Sequence, residues 1–445
     1  MGKIIERCAG IDVGKRFLLC CVLTGAANEE PRGETLRFDA TVPALERLRT
    51  WLQEERVTHV AMESTGTYWI PVFNVLEEQF AIVLANPEEV KNRKGHKTDR
   101  NDAKHIADLL RHDHIRSSYI PPKPVRQLRD LTRRRVQLTQ DATRERNRVQ
   151  KLLEQSNVKI GNVLTDVFGV SGQDMILALL DGQSTPAEIA ALARGQAQRK
   201  IPKLIEALQG HRMSDHCRLV IRSSLRHLGC LQEEIELLDD EILNRMRTPP
   251  FERPFALLQT VPGVGRLSAA AILAEIGTDL EPFPSAEQLA SWGLCPGNRE
   301  SAGIQKGRQT THGNPYLRTT LVQCAWAATR KQGSVFAVRF RQLTPRTGEK
   351  RAIVAVAHLM IIILYCMLKR GMEFQGAECV HQQRRRERRA HHHMRSLRRL
   401  GLNVRVTPLP TPSRAEKVCR SFGVTGGSGH SFRNNRHGVA NERVA

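Results

Sequence analysis

The sequence is poor in aromatic residues, which make up only 5% of its 445 positions. Stacking of unpaired bases on aromatic rings is therefore not expected to be its main means of recognition. Its ten cysteines form no CxxC pair and no zinc-like spacing with histidine, so they predict small buried residues in a reducing compartment. The N-terminus also lacks the apolar segment of a signal peptide.

Long hydrophobic runs are also scarce, and the most apolar one is AIVAVAHLMIIILYCML at residues 352–368. A helix needs roughly 20 apolar residues to cross a bilayer, and this run is shorter. It predicts a buried core helix rather than a membrane span. We therefore expect a cytoplasmic protein with no membrane partner.

Acidic residues are outnumbered, with 46 Asp and Glu against 68 Lys and Arg, which gives a net charge of +22. Such an excess predicts a polyanionic partner, because clustered cations release the counterions of phosphate groups. It argues against an ordinary small-molecule enzyme. Residues 372–445 hold 15 Lys and Arg against 5 Asp and Glu and end in a Pro/Gly/Ser/Asn-rich stretch. They predict a basic, largely disordered tail.

The first 118 residues predict an α/β domain with the element order βββαβαβα. This order is the one that an RNase H-like (RuvC-like) fold requires, whereas a sandwich or barrel would not place three helices there. The predicted strands are residues 8–13, 17–23, 35–39, 59–62 and 81–85, and the predicted helices are residues 44–55, 68–78 and 99–111.

Residues 119–249 predict a helical region with coiled-coil character. Apolar residues recur in two seven-residue series, interrupted by Arg135 and Glu145, and a second such run follows. The pattern fits either one intramolecular helical hairpin or a dimerising arm. Residues 250–371 predict a compact, mostly α-helical domain. The predicted fold class is thus α/β plus α. The series are Leu128, Ala142 and Val149; Leu131, Leu138 and Leu152; Leu228, Ile235 and Ile242; and Leu231 and Leu238.

Four carboxylates stand where they could bind divalent cations. Asp12 and Glu63 end predicted strands, and Asp99 and Asp102 start a predicted helix on one face. Hard oxygen ligands suit Mg²⁺ or Mn²⁺, and two such ions can polarise a phosphodiester. The alternatives are an N-cap role for Asp99 and a surface position for Glu63. Four acidic residues at such positions favour a metal site.

The segment Gly10-Ile11-Asp12-Val13-Gly14 also resembles the first phosphate loop of actin-like sugar kinases and ATPases. That class needs further Gly-rich nucleotide segments downstream, and the sequence has the heptad pattern there instead. A kinase or ATPase is therefore disfavoured.

Two motifs in residues 250–371 could contact nucleic acid. The segment TVPGVGR at residues 260–266 resembles a helix-hairpin-helix turn, in which the amides of Gly263 and Gly265 would meet a phosphate. An ordinary tight helix connection is the alternative. The second motif is GNPYLR, which contains Asn314 and Arg318.

Between these motifs lies Ser301, in a loop flanked by small residues. The cations Arg299, Lys306 and Arg308, together with Arg318, could offset charge on a phosphorane-like transition state, as a phosphoryl-transfer nucleophile requires. A serine in a polar loop usually has no such role, so the residues alone leave both interpretations open.

Six motifs in one order resemble the DEDD-type transposases of bacterial insertion sequences, the insertion-sequence-110 family. The resemblance covers roughly residues 5–375. One departure is His312, where the family more often has Lys or Arg. Residues beyond about 405 match nothing recognisable. The motifs are GIDVGK, AMESTGTYW, KTDRNDA, QTVPGVG, LASWGLCPGNRESAG and GNPYLR.

This resemblance implies a RuvC-like domain whose metal ligands are Asp12, Glu63, Asp99 and Asp102. It also implies a coiled-coil segment and a C-terminal transposase domain with Ser301 as nucleophile. Family members act on donor and target DNA as oligomers, directed by a structured RNA that the element encodes. The chain would then be a dimer or tetramer, nucleoid-associated when active.

We therefore expect a DNA transposase or recombinase that cuts and rejoins strands through a phosphoserine intermediate. Two alternatives stay open. One is a metal-only nuclease resembling a Holliday-junction resolvase, in which Ser301 is structural. The other is a nucleic-acid-binding protein whose acidic site is degenerate.

Overall fold

The computed structural model describes residues 4–26, 29–63, 66–85, 99–115, 118–294, 299–301, 304–307 and 313–375. At residues 99–100, 299–301 and 304–307 it describes the backbone alone. The chain divides into two compact units, residues 1–121 and 122–445. The predicted tail beyond residue 375 lies outside the described residues.

The first unit is a five-stranded mixed sheet with helices. Its strand order is β3-β2-β1-β4-β5, with β2 antiparallel to both β1 and β3, and with β1, β4 and β5 parallel to one another. The predicted element order is confirmed, with small shifts at the ends; the RNase H-like assignment itself stays a prediction. The elements are β1 Arg7–Val13, β2 Phe17–Thr24, β3 Arg32–Asp39, α1 Val42–Glu54, β4 His59–Glu63, α2 Trp69–Leu76, β5 Ala81–Ala85 and α3 Asp99–Arg111.

Side chains alternate between the two faces of this sheet, as the pleat requires. Ala9 and Ile11 of β1 lie in a core that contains the apolar faces of α1 and α2. Cys8 lies in a second core, shared with Ala103 of α3. Because β1 is covered on both faces, its sequence is a continuous apolar run up to Asp12.

The second unit is almost entirely helical in its described part. Two short 3-10 helices, Ile160–Asn162 and Gly195–Lys200, lie in the insert between its two longest helices. Its elements are α4 Lys123–Gln155, α5 Val170–Asp181, α6 Pro186–Ala191, α7 Ile201–Leu208, α8 Asp215–Arg245, α9 Glu252–Gln259, α10 Arg266–Ile276, α11 Ala286–Leu294, β6 Arg299–Ser301, β7 Ile304–Gly307, α12 Pro315–Arg330, α13 Val335–Thr347 and α14 Glu349–Arg370.

The long helices α4 and α8 pack along each other within one chain. Leu138 and Ala142 meet Leu228, Leu231 and Ile235 in a small apolar core. A polar interruption of the heptad pattern also has a partner: the Arg135 guanidinium pairs with Asp239 of α8. The second interruption, Glu145, is buried and pairs with Arg148. The intramolecular hairpin is therefore present, and assembly into oligomers stays a prediction.

The apolar run at residues 352–368 forms most of α14. It is the one helix of the described ranges long and apolar enough to span a membrane, and 72% of its most apolar window is buried inside the protein. Its side chains lie in one large core with α10, α11 and α12, with the N-terminal part of α4 and with the C-terminal part of α8. The prediction of a core helix is confirmed.

Most described cysteines behave as small buried residues. Burial raises the pKa of the Cys8 thiol to about 12, so this thiol is neutral at physiological pH. Burial also raises the pKa of Cys20 well above its usual value. Cys366, in contrast, is disulfide-bonded, so the expectation of reduced cysteines is wrong at this position.

The packing of α4 on α8 makes a prediction about Leu138→Lys combined with Leu238→Lys. Leu138 is 4% exposed and Leu238 is partly buried against the same core, so one buried and one partly buried ammonium group should lower the free energy of unfolding by about 3 kcal/mol or more. Thermal melting measures this change. The matched control is Leu237→Lys, whose side chain is 65% exposed and should tolerate the charge. Sedimentation of both variants shows whether the contact between α4 and α8 lies within one chain or joins two chains. A smaller folded species from the double variant would mean that it joins chains.

Candidate active site

Asp12 and Glu63 lie side by side at one edge of the sheet. In the parallel pair of β1 and β4, Ile11 is opposite Met62, and each strand continues by one residue to its carboxylate. Adjacent strands are about 4.8 Å apart, so the two backbones place these side chains next to each other. Both residues are half-buried.

Helix α3 brings its N-terminus to the same edge. The helix runs antiparallel to β1, since Ile5 N donates to Arg111 O at 3.0 Å and Cys8 Sγ lies 3.5 Å from Ala107 O. Farther along β1, Gly10 meets the helix backbone at Ala103 and Ala107. From Ala103, one further helical turn reaches the start of α3. From Gly10, two further strand residues reach Asp12, so the start of the helix and Asp12 lie at the same edge of the sheet.

The predicted helix 99–111 is confirmed as α3, with Asp99 as its first residue. Asp102 is half-buried one position before Ala103. The Asp99 side chain lies outside the described atoms. The backbone thus brings four predicted ligand positions to one edge of the first unit.

A buried arginine fixes the opposite end of α3. The Arg111 guanidinium is 2% exposed and donates to Gly25 O at 3.1 Å and to Ala26 O at 2.8 Å. Backbone carbonyls satisfy this charge in place of a carboxylate. The helix is therefore held in register with the sheet by Arg111 at its C-terminal end and by the close contact of Gly10 with its middle turns.

The donor chemistry of this edge fits a hard divalent cation. Carboxylate oxygens are the ligands that Mg²⁺ and Mn²⁺ prefer. Among the described residues, however, no group of three or more His, Cys, Asp or Glu side chains is close enough to hold an ion. That search covers Asp12, Glu63 and Asp102 but not the side chain of Asp99.

The contact at Gly10 predicts a large effect of Gly10→Val. A Cβ there would lie 2.2 Å from Ala107 N and 2.4 Å from Ala103 O, so α3 has to move away from β1. We expect a loss of about 3 kcal/mol or more in the free energy of unfolding, measured by denaturant titration. The matched control is Gly33→Ala on β3, whose Cβ would meet only Leu23 Cδ2, at 3.2 Å. Equal stability of both variants would contradict the close helix contact.

Ser301 lies at the end of a strand in a two-stranded hairpin. In the antiparallel pair of β6 and β7, Ser301 is opposite Ile304. The sequence predicted a loop here, so the description changes to a hairpin strand. The backbones of Arg299 and Lys306 belong to the same hairpin. Their side chains, and Arg308 and His312, lie outside the described atoms.

The described residues on the two sides of the segment that carries Ser301 lie close together. Gly313, which follows it, has φ of +34°, and a Cβ there would lie 3.0 Å from Gly293 O and 3.1 Å from Trp292 O. Both residues belong to the last turn of α11, just before the hairpin. The two ends of the segment that carries Ser301 therefore meet.

The predicted helix-hairpin-helix turn connects α9 and α10. Gly263 has φ of +86°, and a Cβ there would lie 2.3 Å from Cys324 O, so this glycine is required by packing against α12. Gly265 caps α10, is exposed and has nothing within 4 Å of its Cβ position. The contacts of both amides with nucleic acid stay predictions. Arg318 lies half-buried in the first turn of α12.

The surroundings of Asn314 are not those expected of a residue that contacts nucleic acid. The side chain is 8% exposed. Its Oδ1 accepts from the amides of Tyr316 and Leu317, both at 3.0 Å, and its Nδ2 donates to Glu275 Oε2 at 2.6 Å. These bonds cap α12 and leave the side chain inside the protein.

Sequence reasoning missed Glu275, the partner of Asn314. Its carboxylate is 3% exposed and also accepts two hydrogen bonds from Arg133. The available signal was a single acidic residue at the end of the otherwise apolar run AAAILAEI. Nothing in the sequence alone pairs that residue with an arginine more than a hundred positions earlier.

Two family models match the chain. One, for the DEDD transposase of IS110 elements, matches residues 9–158, and the other, described as transposase of the IS116/IS110/IS902 family, matches residues 255–340. The first range contains the four acidic positions and the second contains Ser301. These matches define a transposase, an enzyme that cuts and recombines DNA.

The chain belongs to the IS110 family of transposases. It is 25% identical over 378 residues to the transposase for insertion sequence element IS1111A of Coxiella burnetii, covering 81% of this chain and 89% of that protein. It is 27% identical to a probable family 20 transposase of Pseudomonas aeruginosa over 70% of this chain and 84% of that one. A pilin gene-inverting protein of Moraxella bovis is 25% identical over 42% of this chain and 58% of its own length.

Proposed function

We propose that this transposase cuts and rejoins DNA strands with two sets of residues, the acidic edge of the first unit and Ser301 of the second. The observation that carries the proposal is the convergence of Asp12, Glu63 and the start of α3 on one edge of the sheet. The match of a DEDD transposase model to that unit supports it.

Mg²⁺ or Mn²⁺, held by Asp12, Glu63, Asp99 and Asp102, would polarise the scissile phosphodiester and offset its charge. The carboxylates would orient the phosphate through ions bound to them. Without bound cations the acidic edge would repel the phosphates of DNA, so it would accept a phosphate only when cations compensate its charge.

Ser301 serves as the nucleophile. Its Oγ attacks phosphorus and loses its proton, one P–O bond of the strand breaks, and the released strand end carries a hydroxyl. The product is a phosphoserine ester, which keeps the energy of the broken bond. Attack by the hydroxyl of another strand reverses the step and joins the DNA without an external energy source.

The remaining parts of the proposal concern partners. The net charge of +22 suits both DNA and a structured guide RNA encoded by the element. Gly265, Arg299, Lys306, Arg308 and Arg318 are our candidates for phosphate contacts, together with the turn at Gly263. We further propose that the active species is a dimer or tetramer, nucleoid-associated when it acts.

A covalent-adduct assay tests the proposed function. The wild-type protein is mixed with DNA that contains the ends of its element, the adjoining non-coding transcript and Mg²⁺, and the products are separated on a denaturing gel. We expect a DNA strand linked to the protein, with a phosphorylated Ser301 peptide after digestion, and its loss when EDTA is added. Free DNA ends alone would support the metal-only nuclease, and intact DNA would support the degenerate binding protein.

A further inference from the structure

A buried carboxylate binds the residue just before α12, which follows the segment that carries Ser301. Glu275, near the C-terminus of α10, accepts from Arg133 Nε and Nη2 through its two oxygens, each at 2.9 Å. Its Oε2 also accepts from Asn314 Nδ2 at 2.6 Å. Glu275 is thus a buried charge whose partners come from α4 and from the residue just before α12.

A second arginine of α4 fixes the backbone around this carboxylate. Arg129 Nε donates to Ala274 O at 2.9 Å, and its Nη2 donates to Glu275 O at 2.8 Å. These carbonyls lie in the last turn of α10, where helix carbonyls lack partners of their own. Arg129 therefore binds the main chain at Glu275, and Arg133 binds its side chain.

The third member, Asn314, follows the segment that carries Ser301. It caps α12 through the amides of Tyr316 and Leu317 and follows Gly313, which touches the last turn of α11. The Arg133 guanidinium also stacks on the Tyr316 ring, 4.6 Å from its centroid. Asn314 and the start of α12 are thereby fixed to α4 and α10 by directional contacts.

We infer that Glu275 is a positioning residue for Ser301, which it serves by fixing, through Asn314, the point at which the chain returns to α12 after the segment that carries Ser301. This inference rests on the proposed role of Ser301. Apolar packing could have filled the same volume without the cost of burying a charge. A carboxylate held by a guanidinium fork and an amide fixes direction as well as distance, which a nucleophile needs.

The test exchanges the amide of Asn314 and the carboxylate of Glu275. Asn314→Asp keeps an N-cap but puts a carboxylate 2.6 Å from the Glu275 carboxylate, where the two charges repel. Glu275→Gln combined with Asn314→Asp restores one amide facing one carboxylate. Asn147→Asp, on the exposed side of α4, is the matched control for the charge change. The measurements are the rate of covalent-adduct formation at saturating DNA, the DNA dissociation constant and the melting temperature.

For Asn314→Asp we expect the adduct rate to fall by about tenfold or more, with DNA affinity unchanged, because misplaced nucleophiles lose rate rather than binding. The double variant should recover most of the rate, and Asn147→Asp should match the wild type. A double variant that regains the melting temperature but not the rate would overturn the inference, and so would a wild-type rate in Asn314→Asp.

If Asn314→Asp does not fold, Arg133→Lys is measured in its place. Lysine keeps the charge but loses the bidentate fork and the stacking on Tyr316, so the adduct rate should fall while DNA affinity stays the same. An unchanged rate overturns the inference. A wild type that forms no adduct contradicts the proposed function of Ser301 itself, which separates that failure from a failure of the positioning role.

Discussion

Ser301→Ala is expected to fold, to bind DNA as the wild type does, and to form no covalent protein–DNA adduct. Removal of one hydroxyl should change the free energy of unfolding by less than about 1 kcal/mol, as most small substitutions do. The phosphoserine ester cannot form without Oγ, so strand joining should be abolished together with the adduct. Denaturing gels and a joining assay on the same DNA measure both.

Ser285→Ala provides the control in the same unit. The Ser285 hydroxyl accepts from Gln288 N at 3.3 Å at the start of α11, so its loss costs about 1 kcal/mol of helix capping and leaves the chemistry intact. We expect this variant to form the adduct at the wild-type rate. If Ser301→Ala still joins DNA, the serine assignment is wrong and the resolvase-like nuclease takes its place.

The first unit could be predicted closely because its sequence carries two distinct periods. Strands such as β1 are short apolar runs with an abrupt polar end, and α1 repeats leucine at helical spacing. The carboxylates at strand ends follow from the same pattern, since a strand buried on both faces admits Asp12 only where it leaves the core. The shift of a residue or two at element ends does not move the site.

The hairpin that carries Ser301 could not be predicted in the same way. Residues 299–307 are short, polar and rich in glycine, which is the composition of a loop as much as of a strand pair. The ends of α11 and α12 bring Gly293 and Gly313 together on the two sides of this segment, and no local pattern predicts that contact. Such a constraint comes from tertiary packing.

The role of Asn314 is a second feature that the sequence alone could not predict. An asparagine beside glycine and proline at a helix start fits a cap, a turn and a phosphate contact equally well. What distinguishes these roles is Glu275, which is 39 residues away in the sequence. The heptad pattern has the same limit, because leucines of α4 and α8 satisfy it within one chain or between chains.

Asp12→Asn is expected to abolish strand cleavage while leaving DNA binding nearly unchanged. Asparagine keeps the size of the side chain but loses its charge, so the edge next to Glu63 binds Mg²⁺ or Mn²⁺ less tightly. Phosphate affinity resides in Lys and Arg elsewhere, so the dissociation constant for DNA should stay close to that of the wild type. Cleavage in Mg²⁺ and binding at a fixed salt concentration are the two measurements, and Asp102→Asn should behave in the same way.

Asp108→Asn is the matched control for both variants. Asp108 lies on α3 as Asp102 does, but its side chain is 54% exposed and faces His112 at 3.6 Å, toward the end of the helix that leads away from Asp12. This variant should cleave at the wild-type rate. A further check is isothermal titration with Mn²⁺ alone, in which Asp12→Asn should bind more weakly than Asp108→Asn. If Asp12→Asn cleaves DNA as fast as the wild type in Mg²⁺, the four carboxylates are not the metal site, and the acidic edge has to be interpreted as a structural feature of the sheet.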